Sequence, residues 1–446
     1  MAKNLTTGSV LKTILCFSVP YLLSYFMQTL YGMADLFIIG QFNGVECTTA
    51  VSIGSQVMHM LTVMIVGLAM GSIVMIGQAV GAGKREQASR TIGNTITLFM
   101  ALSVLITIAL LFAVNPIVRI MSTPDEAVNA TISYLTICFI GIPFITAYNI
   151  ISAIFRGMGD SKSPMYFIGI ACVANIILDY VFIGIMGLGA AGAALGTTLS
   201  QTISVIVSLV MMIKRQTGIK LTTGDFKPQR KTMTQLLKIG IPVALQDGFI
   251  QVSFIVITIF ANQRGLNDAA AVGIVEKIIG IIFLVPSTML QTVSALSAQN
   301  IGAGKHDRAR RTLCYACIMT VIWGVAASLL MLFDAEPFIR LFAKNSAAVV
   351  KLGSQYMRGY VWDCILAGIH FSFSGYFCAY GLSGISFIHN SLSILCVRIP
   401  LAYYASTHFA DTLFPMGLAS TAGSALSVII CVGVFLWMER KTNLSG

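Results

Sequence analysis

A chain of 446 residues, 56% hydrophobic and only 10% charged, with mean hydropathy +0.84, has too few polar side chains to cover a water-soluble globule. It reads as an integral membrane protein. The formal charge of +11 does not argue for nucleic acid, because no pattern of basic and aromatic residues accompanies it.

Crossing the hydrocarbon takes about 20 apolar residues of helix. Twelve such runs lie at 13–39, 48–75, 91–114, 132–155, 164–186, 190–213, 236–260, 269–297, 312–333, 350–380, 386–408 and 413–437. The first is too long for a cleaved signal and continues into an unbroken series of spans. It contains Pro20 and, at helical spacings of three and four, Gln28, Tyr31 and Asp35. Span 2 ends in QAVGAGKREQASR, from Gln78 to Arg90. Span 5 holds Asn175 and Asp179 four residues apart in NIILDYVFIG, and span 6 descends through GAAGAALGTTLSQ with Thr197, Thr198 and Gln201. A connector from Lys214 to Lys238 carries seven basic residues and Pro228.

The second half contains Asp247 and Gln251 in span 7, Glu276 and Lys277 in span 8, Asp363 in span 10 and Arg398 in span 11. After span 8 the earlier turn returns as AQNIGAGKHDRARR, Ala298 to Arg311. Neither copy fits a Walker A loop, which needs G-x-x-x-x-G-K-[ST]. The glycines suit a tight turn at the membrane surface, with the basic residues held by anionic headgroups. Cys314 and Cys317 form a single C-x-x-C, where structural zinc wants four ligands, and the ten cysteines do not suggest a disulfide framework. His59, His370 and His389 are isolated.

The turn is one of several echoes. KTILCFSVP (Lys12 to Pro20) stands beside LLKIGIP (Leu236 to Pro242), Ala50-Val51 beside Ala271-Val272, and IFRGMG (Ile154 to Gly159) beside YFCAYG (Tyr376 to Gly381). The expected fold is all-α, with twelve transmembrane helices in two parallel six-helix lobes related by a pseudo-two-fold axis along the membrane normal. The lobes are assigned to 1–213 and 236–446, joined by a linker at 214–235. With the N-terminus inside, 20 of the 28 basic residues fall on the cytoplasmic side, three lie within spans, and five (Arg119, Arg264, Arg340, Lys344 and Lys351) fall outside. Both termini are therefore expected in the cytoplasm of a multi-pass plasma-membrane protein.

Ionisable groups at membrane depth are expensive and are retained mainly where they face a cavity or a partner. Asp35, Asn175, Asp179, Thr197 and Thr198 reach similar depth on three spans, and their oxygens are the hard ligands that Na⁺ or a proton would use. Glu276, Asp363 and Arg398 form a second charge cluster, read as a self-satisfying network in the C-lobe. The position matching Asp35 by the repeat offset is Ile257, so the two lobes are not equivalent.

The sequence resembles the multidrug and toxic compound extrusion (MATE) family. The likeness rests on Pro20 with Asp35, the paired GAGK loops, FRGMGDSKSP (Phe155 to Pro164), NIILD and GAALGTTLS (Gly192 to Ser200), in order and spacing. It is nearest the DinF-like branch, whose resemblance assigns ion coupling to Asp35, Asn175, Asp179 and Thr197 and a substrate contact to Gln28. Tyr31, Tyr148, Asn149 and Gln201 complete the expected substrate contacts. The resemblance implies a monomeric secondary transporter that exports amphipathic organic cations by H⁺ or Na⁺ antiport, with no cofactor and no bound metal. A flippase for a lipid-linked sugar is the alternative, and predicts several cations lining a cavity. A major-facilitator transporter lacks its Gly-x-x-x-Asp-Arg turn after span 2, and no nucleophile or acid-base constellation supports an enzyme.

Overall fold

The computed structural model describes residues 4–214, 221–343 and 346–444; Lys344 and residues 215–220 of the connector lie outside them. The helices are α1 (Val10–Phe42), α2 (Val45–Gly81), α3 (Arg85–Ile120), α4 (Val128–Ile140), α5 (Ile142–Gly157), α6 (Lys162–Asp179), α7 (Gly189–Lys214) and α8 (Arg230–Arg264). They continue as α9 (Leu266–Ile282), α10 (Leu284–Gly302), α11 (His306–Arg340), α12 (Ala347–Tyr360), α13 (Asp363–Ala379), α14 (Ser383–Ser393), α15 (Ile399–His408) and α16 (Phe414–Leu444). Among the described residues, ten helical stretches are each long and apolar enough to cross a membrane, and the bent pair α4–α5 makes an eleventh. The tenth expected span is occupied by two shorter helices, α12 and α13. All twelve expected places are thus helical, as lipid demands, because a helix satisfies its own backbone hydrogen bonds.

Several spans are interrupted, and proline explains some of the breaks. Pro143, in the first turn of α5, has no N–H to give the preceding turn, and the chain bends by 48° between α4 and α5. Pro400 opens α15, and the turn before it, Ile394–Arg398, widens into a π turn. A second π turn, Tyr180–Ile185, follows Asp179 at the end of α6 without a proline.

Conformation repeats where sequence repeats. Pro20 lies inside α1 and Pro242 inside α8. Gly83 and Gly304 both take left-handed φ, at 70° and 71°, as do Gly159 and Gly381, at 86° and 73°. Ala50, Val51, Ala271 and Val272 are all fully buried. The echoes in the sequence mark backbone turns and core positions that the two halves share.

By their contacts the residues form two compact units. Unit 1 comprises Met1–Thr7, Leu15–Ala244 and Ala298–Gly304; unit 2 comprises Gly8–Ile14, Leu245–Ser297 and Lys305–Gly446. Unit 1 is packed around Ala50, Val51, Tyr134, Phe139, Ala193 and Ala194, with a second cluster built on the edge-to-face pair Phe155–Phe167, ring centroids 5.4 Å apart. The core of unit 2 gathers Ile257, Ala271, Val272, Tyr356 and Tyr360. Large apolar side chains such as Phe112 and Phe333 are, conversely, 85% and 84% exposed, which suits a surface solvated by lipid tails.

The described end of the connector is fastened in unit 1. Thr222 and Asp225 close a capping box, and the Asn94 amide of α3 donates to the Asp225 carbonyl at 3.1 Å. The same Asn94 accepts from Gln229 N at 2.7 Å, and Thr97 donates to the Phe226 carbonyl at 2.9 Å. Residues 221–229 are therefore a docked strap. Removing one buried partner leaves the others unmet, at about 1–3 kcal/mol each. Asn94→Ala is expected to lower the heat-aggregation midpoint of purified protein and to expose Lys227 to trypsin, while a surface change such as Lys231→Ala leaves both unchanged.

Candidate functional site

In unit 1, α1, α6 and α7 bring together the polar residues that lay apart in the sequence. Asp35 is 5% exposed on α1, and the Thr197 hydroxyl of α7 donates to its Oδ2 at 3.2 Å. Asp179, the last residue of α6, is wholly buried and neighbours Asp35 closely enough for the two carboxyl groups to interact directly. Asn175, one turn earlier, lies beside Asp35. The π turn that begins at Tyr180 follows directly on this residue.

Asp35 Oδ1, both carboxylate oxygens of Asp179 and both amide atoms of Asn175 are buried here without a hydrogen-bond partner among the described residues, so oxygens outnumber the one amide donor beside them. Buried polar atoms are normally hydrogen-bonded. A cluster of unmet hard oxygens in hydrocarbon is the arrangement that takes up a proton or a small hard cation. The site lacks the soft or imidazole donors of a transition-metal centre, and among the described residues no three His, Cys, Asp or Glu side chains are grouped to hold a metal.

Gly196 is the residue of this cluster that sequence reasoning missed. A Cβ built there would stand 2.0 Å from Asp179 Oδ1, so α7 presents bare backbone to the carboxylate. The signal was in plain view one residue before Thr197, within GAALGTT. Thr198 is turned elsewhere: its side chain packs against Gly141 at the α4–α5 break, 2.7 Å from where that glycine would carry a Cβ, and its hydroxyl has no partner.

The expected substrate contacts fall into a neighbouring group. Tyr31 sits beside Gln28 and Gln201, with Tyr148 close by, and Gln201 Oε1 has no donor. Tyr148 in turn lies near Ser152 and Arg156, whose guanidinium stacks 4.5 Å from the Tyr21 ring centroid. Asn149 spends its amide on its own helix, donating to the Ile145 carbonyl at 2.8 Å. Tyrosine faces with amide edges, close to a pair of carboxyl groups, suit a flat apolar ligand carrying a positive charge.

In unit 2, Arg398 donates to the Tyr360 hydroxyl at 2.8 Å and lies 4.8 Å over the Phe254 ring. Glu276 and Asp363 both act on it electrostatically, and Thr258 donates to Glu276 Oε2 at 3.3 Å. This cluster carries one cation for two acids, and Glu276 Oε1, Asp363 Oδ1 and Arg398 Nε have no hydrogen-bond partner among the described residues. Ile257, the counterpart of Asp35, is fully buried in the apolar core of the unit.

Comparison with known proteins gives a consistent assignment. The MatE family model matches residues 20–181 and 242–404. The chain is 25% identical over 444 residues to the probable multidrug resistance protein YoeA of Bacillus subtilis, covering 98% of this chain and 96% of that protein. It is 29% identical over 419 residues to the probable multidrug resistance protein YpnP of the same organism, covering 94% and 93%. Its fold superimposes with a TM-score of 0.90 on a MATE family transporter of the MOP superfamily solved in an outward-facing conformation, at 24% identity over 99% of this chain and 97% of that one.

The contact between Gly196 and Asp179 yields a sharp expectation. Gly196→Ala has no room for its methyl group unless the carboxylate moves, and displacement by about 1 Å costs as much as 10²-fold in a preorganised site. Transport by Gly196→Ala is expected to fall by at least about tenfold with expression and thermal stability retained. Thr198→Ala, facing Gly141, is expected to keep most of its activity. Efflux assays on both variants at matched expression check this.

Proposed function

Because the chain belongs to the MatE family, a family of transporters and not of enzymes, we propose that it exports amphipathic organic cations across the plasma membrane in exchange for H⁺ or Na⁺. The observation that carries the reading is the Asp35–Asp179 pair with its unmet oxygens, held by Asn175, Thr197 and the bare backbone of Gly196. The names of the two Bacillus subtilis relatives support a broad organic substrate range for this chain as well. The basic ends of the helices are assigned to the cytoplasm, together with both termini, and the two lobes to residues 1–213 and 236–446. The protein acts as a monomer and needs no cofactor beyond the coupling ion.

Alternating exposure of a central site has no direction of its own. Direction requires that ion and substrate favour different states or compete for one site. Two carboxylates side by side in hydrocarbon repel each other and attract a cationic substrate to the tyrosine and glutamine group nearby. A proton or Na⁺ taken up between them relieves the repulsion and halves the negative charge, so the organic cation is held less tightly and released. The sign follows: the ion-loaded form binds drug weakly and the ion-free form binds it well, so drug affinity falls as pH is lowered or Na⁺ is raised. The cluster of unit 2 is assigned a structural role, with Arg398 offsetting one of its two acids and held against Tyr360 and Phe254. A lipid-linked sugar would instead call for several free cations, whereas Arg398 is engaged by Tyr360 and Phe254.

Three measurements test the reading. Asp179→Asn keeps the shape of the side chain and loses its charge, and is expected to abolish drug efflux with normal expression; wild-type efflux by that variant sinks the shared ion site. In binding titrations on purified protein, drug affinity is expected to fall by about tenfold across the pH or Na⁺ range, within the coupling seen for linked sites. Asp35→Asn and Asp179→Asn should each flatten this dependence while Glu276→Gln does not, and the reverse pattern would move coupling to unit 2. Cysteines replacing Lys84, Lys227 and Lys305 should be labelled from the cytoplasmic side only; external labelling in sealed cells overturns the orientation.

A further inference from the structure

The GAGK turn, written twice, is not absorbed by ion or substrate binding. Its second glycine in each copy, Gly83 or Gly304, makes the left-handed turn. Its first glycine does something else. A Cβ on Gly81 would lie 1.9 Å from the carbonyl oxygen of Gln299, and a Cβ on Gly302 would lie 2.0 Å from the carbonyl oxygen of Gln78. Both obstacles are backbone, so no side-chain rotation relieves them. Each helix end offers a glutamine carbonyl and, one turn later, a glycine that receives the other's carbonyl. The sequences Gln78-Ala79-Val80-Gly81 and Gln299-Asn300-Ile301-Gly302 are thus the two halves of one reciprocal contact.

The same pattern recurs deeper in the span. Gly71 of α2 would place a Cβ 2.2 Å from the Leu236 carbonyl, and Gly240 of α8 would place one 2.2 Å from the Leu68 carbonyl. The basic ends of α8 and α10, up to Ala244 and from Ala298, belong by their contacts to unit 1, while the remainder of both helices belongs to unit 2. Gln299 completes the junction with its side chain: Oε1 accepts from Leu5 N at 3.1 Å, and Nε2 donates to the Gly157 carbonyl at 3.1 Å. Glycine contacts of this kind let helix backbones meet in lipid through van der Waals packing and weak Cα–H···O interactions. They involve no interlocked side chains and no ion pair. Such a surface closes tightly and separates without leaving a buried charge behind.

We propose that Gly81, Gly302, Gln78 and Gln299 form a reciprocal backbone latch that seals the basic, cytoplasmic end of the transporter and parts once in every cycle to admit substrate. This rests on the export reading above, which requires that end to open. The turn is repeated because the latch needs a carbonyl and a glycine from each half. Replacing either glycine blocks closure while leaving the ion and substrate residues in place.

The test uses Ala298→Cys, fully buried beside the latch, in a cysteine-free background that still exports, with a membrane-impermeant maleimide applied to inside-out vesicles. With both glycines intact, labelling is expected to be slow. Gly81→Ala or Gly302→Ala should accelerate it by about tenfold or more and reduce efflux by a similar factor, because the open state becomes the populated one, while drug binding by purified protein persists. Gln299→Ala inserts no atom and removes only the bonds to Leu5 and Gly157, so it remains informative if the glycine variants do not fold; it should accelerate labelling to a smaller extent. Folded glycine variants that label and export like the parent overturn the latch, as does unchanged labelling in Gln299→Ala. If the parent exports no organic cation, the export reading falls, and the labelling contrast still decides whether these residues close that end.

Discussion

Hydrocarbon offers no hydrogen-bond partner, and the rest of this structure depends on that constraint. Every backbone amide and carbonyl must be satisfied from within the chain, which leaves helices as the only economical way across. Many hydroxyls meet the same constraint within their own helix. Ser24 donates to the Pro20 carbonyl at 2.9 Å, Thr131 to the Ala127 carbonyl at 2.8 Å and Ser354 to the Val350 carbonyl at 2.8 Å, each folding back one turn on its own helix. The unmet oxygens around Asp35 and Asp179 differ from other buried atoms without a partner in belonging to two adjacent carboxyl groups on which no basic side chain among the described residues acts.

Much of this was legible in the sequence, for a physical reason. Apolar runs bounded by charge locate spans because their length is fixed by the bilayer. The repeated turn gave the internal duplication because φ near 70° at Gly83 and Gly304 demands the same residue twice. The acids were visible because carboxylates are rare at that depth. That Asp35 and Asp179 neighbour each other was only inferred from similar depth, since helical spacing fixes which face a residue occupies on its own helix and says nothing of how neighbouring helices are rotated.

Other features left weaker traces. The break at Gly141 was readable in principle from Pro143, but a span interrupted by proline and a continuous one have nearly the same hydropathy. The π turn after Asp179 has no compositional signature, because widening a helix by one residue changes hydrogen-bond partners and not side chains. Gly81 reads in the sequence as part of a tight turn and Gly196 carries no reading of its own, whereas each is defined by what approaches it: a carbonyl for Gly81 and a carboxylate for Gly196. Close approach is a tertiary fact, and a lone sequence does not distinguish a glycine that bends the chain from a glycine that makes room.

The two halves differ in charge under the same repeat. Unit 1 keeps two carboxylates without a resident cation, while unit 2 places Ile257 where Asp35 would be and supplies Arg398 to its own acids. At the turns the halves have kept a common pattern, and the reciprocity of Gly81 with Gln299 and Gly302 with Gln78 gives the reason. A side chain gained on one copy collides with the other copy, so neither can drift alone. Two stretches more than two hundred residues apart in one chain thus act as a single surface, in which the backbone of each is the boundary of the other.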